Sequence, residues 1–379
     1  IGDRTLSLES IARIGNEDVA RLARYATIEN DIVYARRGDV EKHAYITSEQ
    51  AGALCGTGCL RVRVNEQLAD PLFVSFYLNR PESKTWIRLH AVGSNMPNIN
   101  TDILSELPLE LPGLDTQRQV GNLLRCIDSK IANNKKLMQE LEETARLIYD
   151  YWFTQYDYPD ENGRPYQSSD GKMTWNDILK REIPEGWSAG SLASLGEIIS
   201  GATPSTSDAA NYADTGIAWI TPNDLSDSDG RMHIGHGERD ISKKGLQSCS
   251  AQLMPIGSVS SRAPIGYLAV ATQQCCTNQG CKSLIPSMGY GTYFVYLTMK
   301  RRMPIIKAQG VGTTFTEVSK ETLSAIPLEL PPASIASRFE KVVLPLCNQI
   351  KTLEMQCDEL SSLRDWLLPM LMNGQVKVE

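Results

Sequence analysis

Leu104-Ser105-Glu106-Leu107-Pro108-Leu109-Glu110-Leu111-Pro112 recurs as Leu323-Ser324-Ala325-Ile326-Pro327-Leu328-Glu329-Leu330-Pro331, 219 residues further on. The same offset maps Gly93 onto Gly312, Ile131 onto Ile350, and Glu140-Leu141 onto Glu359-Leu360. Upstream the match needs gaps. Phe73-Val74 then aligns with Phe294-Val295, Gly58-Cys59 with Gly280-Cys281, and Val33-x-x-Arg36 with Val259-x-x-Arg262. Self-similarity at a fixed spacing means two copies of one structural unit. Each copy reads as a globular part followed by a helix.

The helix is the firmest secondary-structure reading. Val120, Leu124, Ile127, Ile131, Asn134, Met138, Leu141, Ala145, Ile148 and Trp152 are spaced alternately by four and three residues. That is a heptad seam. Adding 219 gives Phe339, Val343, Leu346, Ile350, Leu353, Cys357, Leu360, Arg364, Leu367 and Leu371, in phase, with Arg364 its one charged member. Each helix is expected to run for roughly 35 residues, about 50 Å. Two matching seams in one chain most simply pack against each other. The spacing therefore predicts an antiparallel pair, with Asn134 either fixing register or lying at a solvated edge. Pro112 and Pro331-Pro332 should stop a preceding strand, Gly374 should close the second helix, and Pro345 should bend it.

Between the copies, 156–182 is rich in Pro, Asp, Asn, Gly and Ser and reads as turn chemistry, not core. The second globular part opens at Ile183-Pro184-Glu185-Gly186-Trp187 and alternates short apolar runs with turns, as mixed strands and short helices do. The first copy has no counterpart of about 183–239. Either upstream residues are absent from the sequence or the first globular part is built differently; the start Ile1-Gly2-Asp3-Arg4, without Met, favours the former.

The net charge is −7, with 38 basic and 45 acidic residues, which is not what a simple DNA binder shows. The average hides an asymmetry. From Ile241 to Thr316 there is no Asp or Glu, while Lys243, Lys244, Arg262, Lys282, Lys300, Arg301, Arg302 and Lys307 are all basic. Such a stretch predicts a positive field suited to a polyanion, unless it is only a solvated face. The 9 cysteines are odd in number in a large chain, and read as reduced, partly buried thiols. Cys55-x3-Cys59 and Cys275-Cys276-x4-Cys281 lack paired CxxC spacing and the chain has only 4 His, so no zinc site is expected.

The sequence has no phosphate loop, no His-Glu-x-x-His, no Gly-x-Ser-x-Gly and no Gly-rich cofactor turn, so no catalytic residue, metal or cofactor is expected in this chain. Asp128-Ser129-Lys130 lies on the heptad helix, where a charged face is expected. What remains is polar and positive. Lys307-Ala308-Gln309-Gly310-Val311-Gly312-Thr313-Thr314 pairs with Arg88-Leu89-His90-Ala91-Val92-Gly93-Ser94-Asn95. Each is a basic residue, a Gly-bearing turn and small hydroxyl or amide side chains, which donate to phosphates and read base edges. The DNA-contact candidates in the first copy are Arg36, Arg37, Lys84, Arg88, Asn95 and Asn98. In the second they are Lys243, Lys244, Arg262 and Lys282, with Lys307, Gln309, Thr313 and Thr314 foremost.

These residues, in this order, resemble the specificity subunit of type I restriction–modification systems. Ile183-Pro184-Glu185-Gly186-Trp187 followed by Gly201-Ala202-Thr203-Pro204-Ser205 looks like the start of that family's target recognition domain. The two Leu-Pro-Leu-Glu-Leu-Pro-type segments look like its junctions into shared helices, and Gly93 to Ile99 is also similar. The resemblance covers nearly the whole chain and departs from the family in the short first domain. It implies an α+β fold: two mixed α/β target recognition domains separated by two long helices packed as an antiparallel coiled coil, in a pseudo-two-fold repeat. The expected division is 1–112, a first recognition domain apparently lacking its N-terminal part; 113–155, the first spacer helix; 156–182, a linker; 183–332, the second recognition domain; and 333–379, the second helix and tail.

The resemblance further implies a noncatalytic prokaryotic cytoplasmic protein that reads a split, asymmetric site on double-stranded DNA. It would dock two methyltransferase (modification) subunits and, through the full assembly, two motor–nuclease (restriction) subunits. S-adenosylmethionine, ATP and Mg would belong to those partners. An antiparallel helix pair would set two unlike readers at opposite ends, facing inverted half-sites. The competing reading is a coiled-coil scaffold without DNA specificity, which explains the heptads but not the acid-free stretch. A stand-alone methyltransferase or nuclease is disfavoured by the missing motifs.

Overall fold

The computed structural model of the chain describes residues 1–6, 11–93, 96–228, 230–262, 266–310 and 318–378. Among them two helices reach 40 residues: α5, Leu114–Phe153, and α10, Ala333–Met372. Both exceed the length read from the heptads, because each starts directly after its proline segment. α10 runs through Pro345 as one element. Pro345 and Lys341 are both exposed, so water can serve the Lys341 carbonyl that the proline leaves unbonded. The chain divides into two compact units, one of residues 1–133 with 357–379 and one of residues 134–356.

The first unit carries β1 (Asp3–Arg4), α1 (Asn16–Arg21), β2 (Ile32–Ala35), β3 (His43–Tyr45), β4 (Cys59–Val62), α2 (Pro71–Leu78), α3 (Pro81–His90) and α4 (Thr101–Ser105). Its sheet has the order β1-β3-β2-β4, with β1 parallel to β3 and the other pairs antiparallel. Ile32, Val33 and Tyr34 suit β2 because β-branched and aromatic side chains fill a pleated surface buried on both faces. α2 starts at Pro71, with the Asp70 carboxylate accepting Phe73 N at 2.9 Å, and all eight of its residues are buried. Phe73 and Phe76 pack with Val120 and Leu124 of α5 and Leu368 and Leu371 of α10.

In this unit the long helices run antiparallel. Asp128 meets Arg364 at 3.0 Å, and Cys357 Sγ lies 3.9 Å from the Ile131 carbonyl. Asp128 thus answers the one charged residue of the second seam. It also pairs with Arg4 from β1, whose guanidinium sits 3.3 Å from the centre of the Phe76 ring.

The second unit adds β5 (Met173–Asn176), β6 (Arg181–Pro184), β7 (Ser188–Ser191), β8 (Gly196–Ser200), β9 (Tyr212–Ala213), β10 (Ile217–Ile220), α6 (Pro222–Asp227), β11 (His233–Ile234) and β12 (Arg239–Ile241). Then follow α7 (Lys243–Gln247), β13 (Val259–Arg262), β14 (Tyr267–Ala271), β15 (Cys275–Thr277), β16 (Lys282–Pro286), α8 (Thr292–Ala308), α9 (Lys320–Ser324) and β17 (Pro327–Leu330). The larger sheet is β11-β14-β13-β16-β8; a smaller one is β15-β10-β12-β9. Here too the outermost pair, β11 with β14, is parallel, and β14-β13-β16 is antiparallel. The motif β1-β3-β2-β4 therefore recurs as β11-β14-β13-β16, so β1 answers β11 and the stretch without a counterpart ends before His233, not near 239. α4 recurs as α9 at the offset of 219 residues. In both copies the edge strand sends a basic side chain to a carboxylate on the long helix that follows. The second such pair is His233 Nδ1 to Glu354 Oε2 at 2.7 Å, with His233 Nε2 3.0 Å from Tyr293 Oη.

α5 and α10 are antiparallel in this unit as well. Asn134 is 2% exposed and donates to Gln356 Oε1 at 3.2 Å, while Trp152 packs edge-on against Phe339 at 5.7 Å. Asn134 therefore does not lie at a solvated edge. Ala145, Tyr149, Phe153, Val343, Cys347 and Ile350 complete the apolar contact around them.

Two sequence expectations need correction. The stretch 156–182 is folded. Tyr158 stacks on Tyr166 at 4.7 Å and on Trp187 at 5.6 Å, Asp157 accepts bonds from Ser168, and β5 pairs with β6. Its turns are real, but its tyrosines join the core. Second, the Leu-Pro-Leu-Glu-Leu segment is a strand only in the second copy. There β17 pairs with β7, whereas residues 107–111 form no strand.

Candidate nucleic-acid interface

In the first unit, backbone pairing collects three of the candidates. Arg37 bridges to Asn98, Ile99 N donates to the Arg36 carbonyl at 3.0 Å, and Asn98 exchanges both backbone bonds with Val92 at 2.9 Å. Val92 and Asn98 are thereby tied to the end of β2. Gly93 has φ +106°, and a Cβ there would come within 2.8 Å of the Met96 carbonyl oxygen, so the turn requires glycine. Arg37 projects into solvent and Arg36 is half-buried. Lys84 and Arg88 lie on α3, and both face acids: Lys84 Nζ is 2.7 Å from Asp3, and Arg88 is 3.4 Å from Glu41. Asn95 falls outside the described residues.

In the second unit the acid-free stretch is less positive in space than in sequence. Lys300 pairs with Glu142, Arg301 with Asp150 at 3.2 Å, Arg302 with Glu329, and Lys244 with Asp208 at 2.7 Å. Four of its eight basic residues thus meet carboxylates from outside the stretch, two of them on α5. A count along the chain cannot see this, because the partners are up to 158 residues away.

Lys243 is exposed at the start of α7. Lys307 and Gln309 close α8, and the Lys307 side chain lies over Gly266, where a Cβ would collide with it. Thr313 and Thr314 fall outside the described residues. Arg262 and Lys282 come together at the strand ends. Arg262 Nη1 donates to the Gly280 carbonyl and Lys282 Nζ to the Gln279 carbonyl, each at 3.0 Å. The turn 278–280 that they share carries an exposed Gln279 with its Oε1 bonded to Thr203 Oγ1. Neither Gln279 nor Thr203 was among the sequence-derived contact candidates. An Asn-x-Gly turn inside the acid-free stretch was the available signal.

The cysteines are free thiols. Burial pushes Cys275 up to about 11 and Cys276 and Cys281 up to about 12, which keeps them protonated and inert. Among the described residues no group of three or more His, Cys, Asp or Glu is placed to hold a metal ion, and no helix is long and apolar enough to cross a membrane.

A family model, the type I restriction modification DNA specificity domain, matches residues 11–143 and 184–354. The chain belongs to this family. It is 23% identical over 414 residues to the HindI type I restriction enzyme specificity subunit of Haemophilus influenzae, covering 95% of this chain and 89% of that one. It is 31% identical over 212 residues to the MjaIX specificity subunit of Methanocaldococcus jannaschii, covering 52% of this chain and 48% of that one. The crystal structure of a type I restriction–modification S subunit from M. genitalium superposes with TM-score 0.55 at 16% identity, over 92% of this chain and 84% of that one. The fold is therefore the mixed α/β, two-domain, two-helix fold of specificity subunits, and the family's role is recognition of DNA sequence.

Proposed function

We propose that this chain is the noncatalytic reader of a type I restriction–modification complex. Its two recognition domains each read one half of a split, asymmetric DNA site, and the paired helices set the spacing and dock two methyltransferase subunits. Two motor–nuclease subunits complete the restricting assembly. S-adenosylmethionine, ATP and Mg serve those partners. The observation that carries this reading is the duplicated sheet motif, followed each time by a 40-residue helix, in copies whose loop sequences differ. Duplication of the frame suits two copies of one partner, and divergence of the loops suits two unlike half-sites.

Arg36, Arg37 and Asn98 are the proposed contacts of the first copy, with Asn95 and, secondarily, Lys84 and Arg88. Lys243, Lys244, Arg262, Lys282, Lys307, Gln309, Thr313 and Thr314 serve the second. Positioning contacts go to phosphates and specificity to base edges. The test is methyl transfer by the chain purified alone and with its modification subunit, on DNA libraries randomised in each half. Activity should appear only in the complex and should prefer a two-part site. Activity of the chain alone, or a complex indifferent to sequence, would overturn the proposal; the latter outcome fits the scaffold reading.

A further inference from the structure

The turn at the strand ends of the second unit has features of a base-reading fingertip. It joins β15 to β16 and is braced on every side. Asn278 Oδ1 accepts Gly280 N at 2.8 Å, Asn278 N donates to the Ile220 carbonyl at 3.0 Å, and Ala202 N donates to the Thr277 carbonyl at 2.9 Å. Gly201 makes the close approach possible, since a Cβ there would collide with the Thr277 and Asn278 carbonyl oxygens. Gln279 therefore stands on a backbone that cannot readily shift.

We propose that Gln279 reads a base of the half-site recognised by the second copy, with Thr203 holding its amide in place and Arg262 and Lys282 holding the flanking phosphates. Three observations combine. Gln279 is exposed, yet its Oε1 accepts from Thr203 Oγ1, which fixes the amide plane before any ligand arrives. The bonded oxygen keeps a second lone pair and Nε2 keeps its donors, so a donor–acceptor pair remains available on an exposed side chain. That pair matches the N7 and N6 edge of adenine in the major groove. Finally, two cations are tied to the backbone carbonyls of the same turn, as phosphate-contacting groups beside a reader should be.

The assignment rests on the proposed function, and the test separates the two. The assembled complex methylates a DNA library in which each position of both half-sites is varied. Wild type should prefer A·T at one position of one half-site. Gln279→Ala should relax that position about 10-fold and leave the others unchanged. Gln279→Glu keeps the shape and the bond from Thr203 but loses the donors, so it should abandon adenine at the same position. Thr203→Val should relax it partially. Lys282→Ala should weaken methylation of all sequences alike and lower the salt slope by about 1. A sequence-specific complex whose preference is unmoved by both Gln279 variants would overturn this assignment alone. A wild-type complex with no preference would overturn the function itself.

Discussion

Leu107-Pro108-Leu109-Glu110-Leu111 and Ile326-Pro327-Leu328-Glu329-Leu330 are almost the same sequence in two different states. In the second unit Leu328 is 2% exposed in a strand paired with β7, and Glu329 pairs with Arg181 and Arg302. In the first unit Leu109 is 41% exposed, and the Glu110 amide turns to the Tyr77 hydroxyl at 3.2 Å. The partner makes the difference. β7 and β8 come from residues 188–200, a region with no match in the first copy, and among the described residues β4 likewise has no neighbour where β16 has β8. Strand formation here is a property of the pair and not of the pentapeptide.

That contrast can be broken most directly by paired truncations. Leu328→Ala should cost about 2–5 kcal/mol of stability, whereas Leu109→Ala should stay within about 0.5 kcal/mol. Denaturant unfolding that gave equal losses would show that the two segments are packed alike after all.

A second contrast lies in the helix seams. Asp128 and Arg364 of the first unit correspond by the 219-residue offset to Cys347 and Ala145 of the second, both fully buried and apolar. Asp128→Ala leaves Arg4 with only Ser75 and Arg364 with Asp365 among the partners described, and should cost about 2–3 kcal/mol, at or below the low end for a broken buried pair because Asp128 keeps 29% of its side chain exposed. Cys347→Ala should cost about 1 kcal/mol, for a lost contact alone. Chemical denaturation of both variants compares them.

Acid should sharpen the same asymmetry. Burial, helped by Arg4, holds His43 at about 3, below the ordinary 6.5, with Nε2 3.0 Å from the Ser75 carbonyl. The unfolded chain takes up this proton near pH 6.5 and the folded chain does not. The contribution of neutral His43 is therefore whole above that pH. It falls by up to about 1.4 kcal/mol per pH unit as pH drops toward 3. Unfolding followed from pH 7 to 4 should show the first unit losing stability, with His43→Leu flattening the slope. The smallest effect is expected at the seam centre. Asn134→Leu should change stability by no more than about 1 kcal/mol while loosening helix register, read as broadened cross-linking between cysteines placed on α5 and α10.

The sequence made the repeat, both helices and their antiparallel sense legible, because periodicity and a fixed offset survive without knowledge of contacts. Val33 and Val259, matched only by a gapped alignment, do sit on corresponding strands β2 and β13. Charge was less legible. Lys300, Arg301 and Arg302 looked available until the fold brought Glu142, Asp150 and Glu329 to them. Gln279 was legible only as the middle of an Asn-x-Gly turn, because the bond that holds its amide comes from Thr203, 76 residues away. The tyrosines of 156–166 were misread as loop because turn residues surround them.

Those tyrosines decide where a graft of the second globular part could be joined. Tyr158 lies against both Tyr166 and Trp187, so the residues before position 183 and those after it share one aromatic stack. A chimera joined at 183 would graft a foreign Trp187 surface onto a resident Tyr158 and Tyr166. One joined before Tyr156, inside the last turn of α5, would carry the stack intact. A chimera joined on the helix side of Tyr156 should therefore unfold as cooperatively as its parent, because the incoming domain arrives with its own clasp.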